Sequence, residues 1–251
     1  MPATTPPALE VIDLDYEYAD GTPAVSGCSL TVAPGERWGL IGANGAGKTT
    51  LLLLLDGLLI PKSGQIRVAG RPLDTENDRR AARRQTGIVF QNPDDQLFSP
   101  SVFDDVVFGP LNLELPKDEA HQRAHDALAR VGLPGYENRV PQHLSSGEKR
   151  GVSIATVLAM NPDTILLDEP TANLDPRARQ HCGNLLRSLS ATLLIATHDF
   201  EFILGVCSHV ALLGQGRIVA TGQPREILAQ KDLLEANGLV QPTWLPHLLA
   251  E

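Results

Sequence analysis

Basic charge is what this chain of 251 residues lacks most: 21 Lys and Arg stand against 30 Asp and Glu, for a net charge of −9. A nucleic-acid binder carries a basic footprint, so the balance argues against DNA or RNA as a partner. Cysteine is also scarce. Cys28, Cys182 and Cys207 are odd in number and far apart. That excludes a disulfide framework and fits packing residues in a reduced, cytosolic chain. Long apolar runs are missing too. The longest, Leu51 to Ile60, is interrupted by Asp56 and Gly57. It falls short of the roughly 20 residues that cross a bilayer and reads as a buried core helix. Any membrane role is therefore expected to run through a partner. Residues Met1 to Pro7 have neither the basic start nor the apolar run of a signal peptide. There is no internal repeat and no low-complexity segment.

What the chain does have is a phosphate cradle. Arg37 to Ile41 reads as an apolar strand, Gly42 to Thr49 matches G-x-x-x-x-G-K-[ST], and Thr50 to Leu55 continues as a helix. This is the P-loop pattern, Gly42-Ala43-Asn44-Gly45-Ala46-Gly47-Lys48-Thr49. A triphosphate needs many donors at once, and backbone N–H groups at a helix N-terminus supply them. Lys48 is placed to reach the β- and γ-phosphates, and the Thr49 hydroxyl to ligate Mg²⁺. The bland alternative is an ordinary glycine turn, and the apolar strand before the loop and the apolar helix after it weigh against that.

Further residues point the same way. Thr164 to Leu167 is an apolar strand that ends in Asp168-Glu169. Strands of a buried parallel sheet are apolar throughout, so acids at the carboxyl end face a ligand crevice. Asp168 is expected to hold Mg²⁺, and Glu169 to polarise an attacking water. A second apolar strand, Thr192 to Thr197, ends in His198-Asp199, which puts His198 level with Glu169. Its expected role is a hydrogen bond to the γ-phosphate and the attacking water, with a satisfied core histidine as the alternative. Gln91 ends a strand on the P-loop side, where a neutral amide holds a water or completes a magnesium shell; otherwise it is a turn residue. Tyr18 ends its own strand and reads equally as a base-stacking aromatic or a core tyrosine. Ser145 and Glu148 spell S-x-x-E, a capping box, before a helix that runs to Met160. Ser145 and Gly147 there also suit a second anion site. Asp175-Pro176 is a helix cap. His121 and His125 lie four apart on a helical pattern over Lys117 to Val131. No carboxylate or cysteine at good spacing completes a metal site, so they read as an exposed polar face.

The remaining pattern places strands at 9–19, with Ile12, Leu14, Tyr16 and Tyr18 on the inward face, and at Cys28–Val32, Gln65–Ala69 and Thr86–Gln91. Glu76 to Arg84 reads as an exposed charged helix, and His209 to Gly222 as a hairpin. Strand signals stop between Pro93 and Pro162. The layout is a split α/β core with a helical insertion.

These motifs together resemble the nucleotide-binding subunit of an ABC transporter over nearly the whole chain. They occur in that family's order: an A-loop aromatic (Tyr18), Walker A (Gly42 to Thr49, then Thr50), Q-loop (Gln91), signature (Leu144 to Glu148), Walker B (Ile165 to Glu169), D-loop (Ala172 to Asp175) and H-loop (His198). The signature departs from L-S-G-G-Q in having Ser146 for a glycine and Glu148 for a glutamine, while Ser145 and Gly147 are kept. The resemblance implies a P-loop NTPase fold of the RecA-like ABC type, with an antiparallel β subdomain and a helical insertion. One domain would span 9–245, with core 9–91 and 163–227, helical subdomain 92–162 and a C-terminal helical extension over 228–251. It implies ATP and Mg²⁺ as ligands, with Thr49, Gln91 and Asp168 as the metal set. It also implies a head-to-tail homodimer in which Ser145, Ser146, Gly147 and Glu148 act on the partner's ATP. Glu169 would be the general base, His198 its positioning partner and Gln91 the sensor toward membrane subunits.

The segment Phe90 to Phe98 with Phe108-Gly109-Pro110 is similar to energy-coupling-factor (ECF) importers. Leu144 to Arg150 with Ala155 to Met160 is similar to the cobalt and nickel members. Implied partners are a transmembrane coupling protein and a metal-binding membrane subunit, and the location is peripheral, at the cytoplasmic face of the membrane. A vitamin importer with the same motor is the near alternative. A soluble ABC ATPase usually carries two cassettes or a long coiled coil, neither of which is seen here. A P-loop kinase or GTPase lacks the Leu144 to Glu148 signature.

Overall fold

The computed structural model describes residues 5–245. The elements run β1 (Leu9–Glu17), β2 (Pro23–Val32), β3 (Arg37–Ile41), α1 (Lys48–Leu55), β4 (Ser63–Val68), β5 (Arg71–Pro72), α2 (Glu76–Arg83) and β6 (Thr86–Val89). Next come α3 (Val102–Asn112), α4 (Lys117–Arg130), α5 (Ser146–Met160), β7 (Thr164–Asp168), α6 (Pro176–Ser188) and β8 (Thr192–Ala196). Then follow α7 (Phe200–Val206), β9 (His209–Gly214), β10 (Arg217–Gly222), α8 (Pro224–Leu228) and α9 (Lys231–Ala236).

Two sheets carry the fold. One is antiparallel with strand order β2-β1-β4-β5, and the other has order β10-β9-β3-β8-β7-β6. From β9 to β6 the second sheet is parallel. Its inner strands β7 and β8 are buried at every position, as a sheet covered on both faces requires. Helix α1 packs into a core cluster with both sheets, through Leu51, Leu52, Leu54 and Leu55. Between β6 and β7 the chain forms α3, α4 and α5. Ala120, Ala124, Leu128 and Val131 all turn inward, as their spacing requires. Cys28, Cys182 and Cys207 are buried and unpaired, and burial pushes the Cys182 thiol up to about 12, which suits packing.

Several elements differ from the pattern. In β1 the alternation breaks at a register shift between Val11 and Leu14, where Asp13 takes φ 46°. Leu9, Val11 and Leu14 are buried and Ile12 is exposed, because the bulge resets the facing. Strand β2 starts at Pro23, not Cys28. Strand β6 stops at Val89, short of Gln91, because the next backbone groups pair with side chains: Phe90 N–H donates to Gln96 Oε1, and the Phe90 carbonyl accepts from Arg150. Helix α2 is not wholly exposed. Arg79 and Ala82 are buried, and Arg79 packs on Gly57. His125 does meet a carboxylate, Glu137 Oε1 at 3.2 Å, and both histidines rest on Phe103. Among the described residues, the expected 228–251 extension carries the helix α9 and a helical residue at Leu245. Leu234, Leu239 and Leu245 dock in the main core, and 246–251 lie outside the described residues. Among the described residues no helix is long and apolar enough to cross a membrane.

Asp56 ends α1 with its side chain almost fully buried, accepting from Thr86 Oγ1 at 2.9 Å. Burial raises its carboxyl to about 6, against the smaller opposing effects of Thr86 and Arg83. A native carboxyl raised above its unfolded value stabilises the fold below that unfolded value, and the contribution is lost as pH rises through about 6. Asp56→Asn keeps the acceptor and removes the charge. Its stability relative to wild type, from urea melts, is expected to climb by about 2–3 kcal/mol between pH 4 and 6 and then level off. A difference that stays flat across that range would show that Asp56 ionises freely in the native state.

Candidate functional site

The site is assembled by parallel pairing. Leu40 on β3 pairs with Ala196 on β8, which pairs with Asp168 on β7. Those three residues lie abreast, so the segments that leave the three strands emerge at one edge: the glycine loop after Ile41, Glu169 after Asp168, and Thr197-His198 after Ala196. The loop is tightly constrained. Gly47, the N-cap of α1, has φ 102°, and a Cβ there would sit 2.2 Å from the Ala24 carbonyl oxygen. At Gly42 a Cβ would lie 2.4 Å from the Leu213 carbonyl oxygen. Only glycine lets this backbone close on its neighbours.

Lys48 is buried, and its Nζ donates to the carbonyls of Gly42 at 2.7 Å and Ala43 at 3.2 Å. Burial pulls its pKa down, opposed by Glu169 and Asp168. Ala46 is buried beneath the loop, its N–H on the Ala43 carbonyl. Thr49 Oγ1 donates to Asp168 Oδ2 at 2.6 Å. Burial raises the Asp168 carboxyl, with the Thr49 bond opposing. Glu169 is 7% exposed and adopts φ 45°, a conformation a non-glycine residue holds only under constraint. Its N–H is held by the Ala196 carbonyl at 2.8 Å. One oxygen accepts from Thr197 Oγ1 at 2.9 Å, and the other lies 2.8 Å from His198 Nδ1. The His198 side chain is 71% exposed, so it is no core histidine.

One cavity of about 370 Å³ is lined by Tyr18, Asn44, Gly45, Gly47, Lys48, Thr49, Thr50, Gln91, Asp168 and Glu169. Tyr18 is 40% exposed, with its hydroxyl 2.8 Å from Thr50 Oγ1 and its ring edge-on to Tyr16. It is a wall of the cavity and not a core residue. The signature residues lie elsewhere. Ser145, Gly147, Glu148 and Asp175 line a second cleft, of about 610 Å³. Ser146 turns away from it, toward Gln91 and Asn92. The capping box is present in full: Ser145 Oγ accepts from Glu148 N–H, and Glu148 Oε2 accepts from Ser145 N–H and Oγ. The other Glu148 oxygen accepts from Tyr136 Oη at 2.6 Å. These bonds, with Tyr136 first among them, hold the Glu148 carboxyl below its ordinary range. Asp175 caps α6 through the Ala178 N–H at 2.8 Å.

Three contributors stand outside the motifs. Thr197 orients Glu169, Tyr136 anchors Glu148, and Arg179 grips Asp199 beside His198 with Nε at 2.6 Å. Thr197 was legible as the last residue of its strand. Tyr136 and Arg179 sit in loop and helix stretches that carry no pattern of their own.

The family profile described as ABC transporter matches residues 25–172, more than half of the chain. An ECF transporter ATP-binding protein, EcfA of Methanothermobacter thermautotrophicus, is 47% identical over 93% of this chain and 76% of its own length. A putative ABC transporter ATP-binding protein of Geobacter sulfurreducens is 47% identical over 93% of this chain and 94% of its own. Among solved structures, CbiO1 of Clostridium perfringens, part of the ABC transporter complex CbiONQ, superposes with a TM-score of 0.81 at 39% identity, covering 98% of this chain and 100% of its own. The cassette MJ0796, solved as a dimer, matches in fold with a TM-score of 0.77 at 24% identity. The chain belongs to the ABC transporter family, as the ATP-binding subunit of an ECF-type transporter and an ATPase coupled to transport.

Proposed function

We propose that this chain is the motor of a transition-metal importer, hydrolysing ATP in a dimer of two copies to drive Co²⁺ or Ni²⁺ through membrane partner subunits. The observation that carries the chemistry is the meeting of Lys48, Thr49, Asp168 and Glu169 in one cavity, with His198 on Glu169. The P-loop backbone and Lys48 bind the β- and γ-phosphates, and Tyr18 and the loop beside it take the nucleoside. Hard oxygens of Thr49 and Asp168, 2.6 Å apart, fit Mg²⁺, with the Gln91 amide beside them. That ion, when bound, supplies charge neutralisation on the phosphate oxygens. Glu169 accepts the proton of the attacking water as the water oxygen bonds to the γ-phosphorus, and the bridging bond to the β-phosphate breaks to release ADP. His198 orients the Glu169 carboxylate and faces the γ-phosphate.

Ser145 and Gly147 do not reach this cavity in their own chain, which supports a head-to-tail pair in which each signature closes the other copy's site. The working unit is one cassette over 9–245. Its core is 9–91 and 163–227, its helical arm is 92–162, and its C-terminal extension over 228–251 begins on the core. Membership of CbiO1 in a complex with further subunits supports a transmembrane coupling protein and a metal-binding membrane subunit as partners, with this chain peripheral at the cytoplasmic face. The metal cargo rests on the likeness of Leu144 to Arg150 and Ala155 to Met160 to cobalt and nickel members.

Three outcomes are expected. Glu169→Gln is expected to lower kcat by about 10²-fold or more while keeping ATP binding and trapping an ATP-bound dimer on gel filtration; normal turnover in this variant would remove Glu169 as the base. Tyr18→Ala is expected to weaken ATP about tenfold in equilibrium binding, and Tyr18→Phe far less, because ring stacking is worth about 1–3 kcal/mol. Cells expressing the chain with its neighbouring membrane genes are expected to take up labelled Co²⁺ or Ni²⁺, and to stop when Glu169→Gln replaces the wild type. Uptake of neither metal, with ATPase activity intact, would reassign the cargo.

A further inference from the structure

Arg150 lies in the second turn of α5, the helix capped by Ser145, and is only 3% exposed. Its Nη1 donates to the Phe90 carbonyl at 2.6 Å and its Nη2 to the Gln91 carbonyl at 2.5 Å. Its Nε has no hydrogen-bond partner among the described residues, and no carboxylate among them pairs with it directly. A buried cation held by two backbone carbonyls is an expensive arrangement, so its retention calls for a reason other than stability. Two further links run parallel to it. Lys149 Nζ meets Asp94 Oδ1 at 2.6 Å. Gln96 Nε2 donates to the Ser153 carbonyl at 2.9 Å and lies 2.8 Å from Thr156 Oγ1, while its Oε1 accepts from Phe90 N–H at 3.1 Å. The segment 90–96 is thereby bolted to α5 by its own side chains and those of the helix. These bonds join the backbone at Gln91 to the helix that begins at Ser145 and Gly147.

We infer that Arg150 is a positioning residue for the reaction on the partner copy's ATP: it holds this chain's signature in fixed register with this chain's Gln91. Gln91 lines the chain's own nucleotide cavity, and Ser145 and Gly147 line the cleft that closes the other copy's. One guanidinium therefore ties the state of one site to the completion of the other. The inference rests on the two-copy reading proposed for the function. The competing role is local: Arg150 feels the charges of Asp168 and Glu169 and would then serve only its own chain's site.

Mixed dimers separate the two. Arg150→Met keeps the buried stem and removes the fork. Alone it is expected to lose at least tenfold in ATPase rate while binding ATP within about twofold of wild type, since the P-loop is untouched. Lys48→Ala alone is expected to be inactive, because the cradle loses its cation. Mixed in equal amounts, the two chains are expected to recover about a quarter of wild-type activity, because half of randomly paired dimers carry one complete site. In that site the Arg150→Met chain supplies the P-loop and the Lys48→Ala chain an intact signature. Lys48→Ala mixed with Gly147→Asp is the control for the pairing itself. Recovery in the control without recovery in the Arg150 pair would overturn the inference and leave the dimer standing. No recovery in either would sink the two-copy reading and the inference with it. If Arg150→Met does not fold, Arg150→Lys, which reaches one carbonyl and not both, replaces it with the same outcomes.

Discussion

Parallel pairing of β3, β8 and β7 is the constraint on which the rest depends. Its register sets Leu40, Ala196 and Asp168 side by side. A parallel ladder puts all carboxyl ends on one edge, so the groups needed around a phosphate leave the sheet together. The glycine loop lies more than a hundred residues from Glu169 and Thr197-His198, yet all converge because each directly succeeds one of these strands. Slippage by one residue would reverse the facing of every side chain along a strand and scatter the set.

The charge arrangement stems from that convergence. Lys48, Asp168 and Glu169 are all buried. Each carries a desolvation cost unless the others and nearby hydroxyls offset it. Lys48 is held on loop carbonyls, Asp168 on Thr49, and Glu169 between Thr197 and His198. The positive φ at Glu169 shows the same tension in the backbone, held by its bond to Ala196. Groups placed this way are set to respond to a polyanion, because its arrival changes every balance at once.

The helical arm answers a different requirement. Its signature residues line a cleft of their own and do not face the nucleotide cavity of the same chain. The helix that carries them is tied to segment 90–96 by Arg150, Lys149 and Gln96, and it packs on β6 through Val157. Both oxygens of Glu148 are taken by Ser145 and Tyr136, so the departure from a glutamine is absorbed by local donors and neither oxygen is left unsatisfied.

Local pattern in the sequence determined a great deal. The glycine spacing, the apolar strands ending in Asp168-Glu169 and His198, the capping box at Ser145 and Glu148, and the helical spacing from Ala120 to Val131 are short-range signals. They are legible because backbone geometry repeats over a few residues. They identified the cradle, the acids and the family, and placed nearly every element. Tertiary structure decided what depends on residues distant in sequence. It put Ile12 outside through a bulge in β1, ended β6 before Gln91 because Arg150 claims the carbonyls beyond it, and made Tyr18 a cavity wall. It also brought Glu137 to His125, Tyr136 to Glu148 and Arg179 to Asp199. The reason is physical: a hydrogen bond or ion pair between side chains is set by where two elements pack, and no periodicity in either segment records its partner.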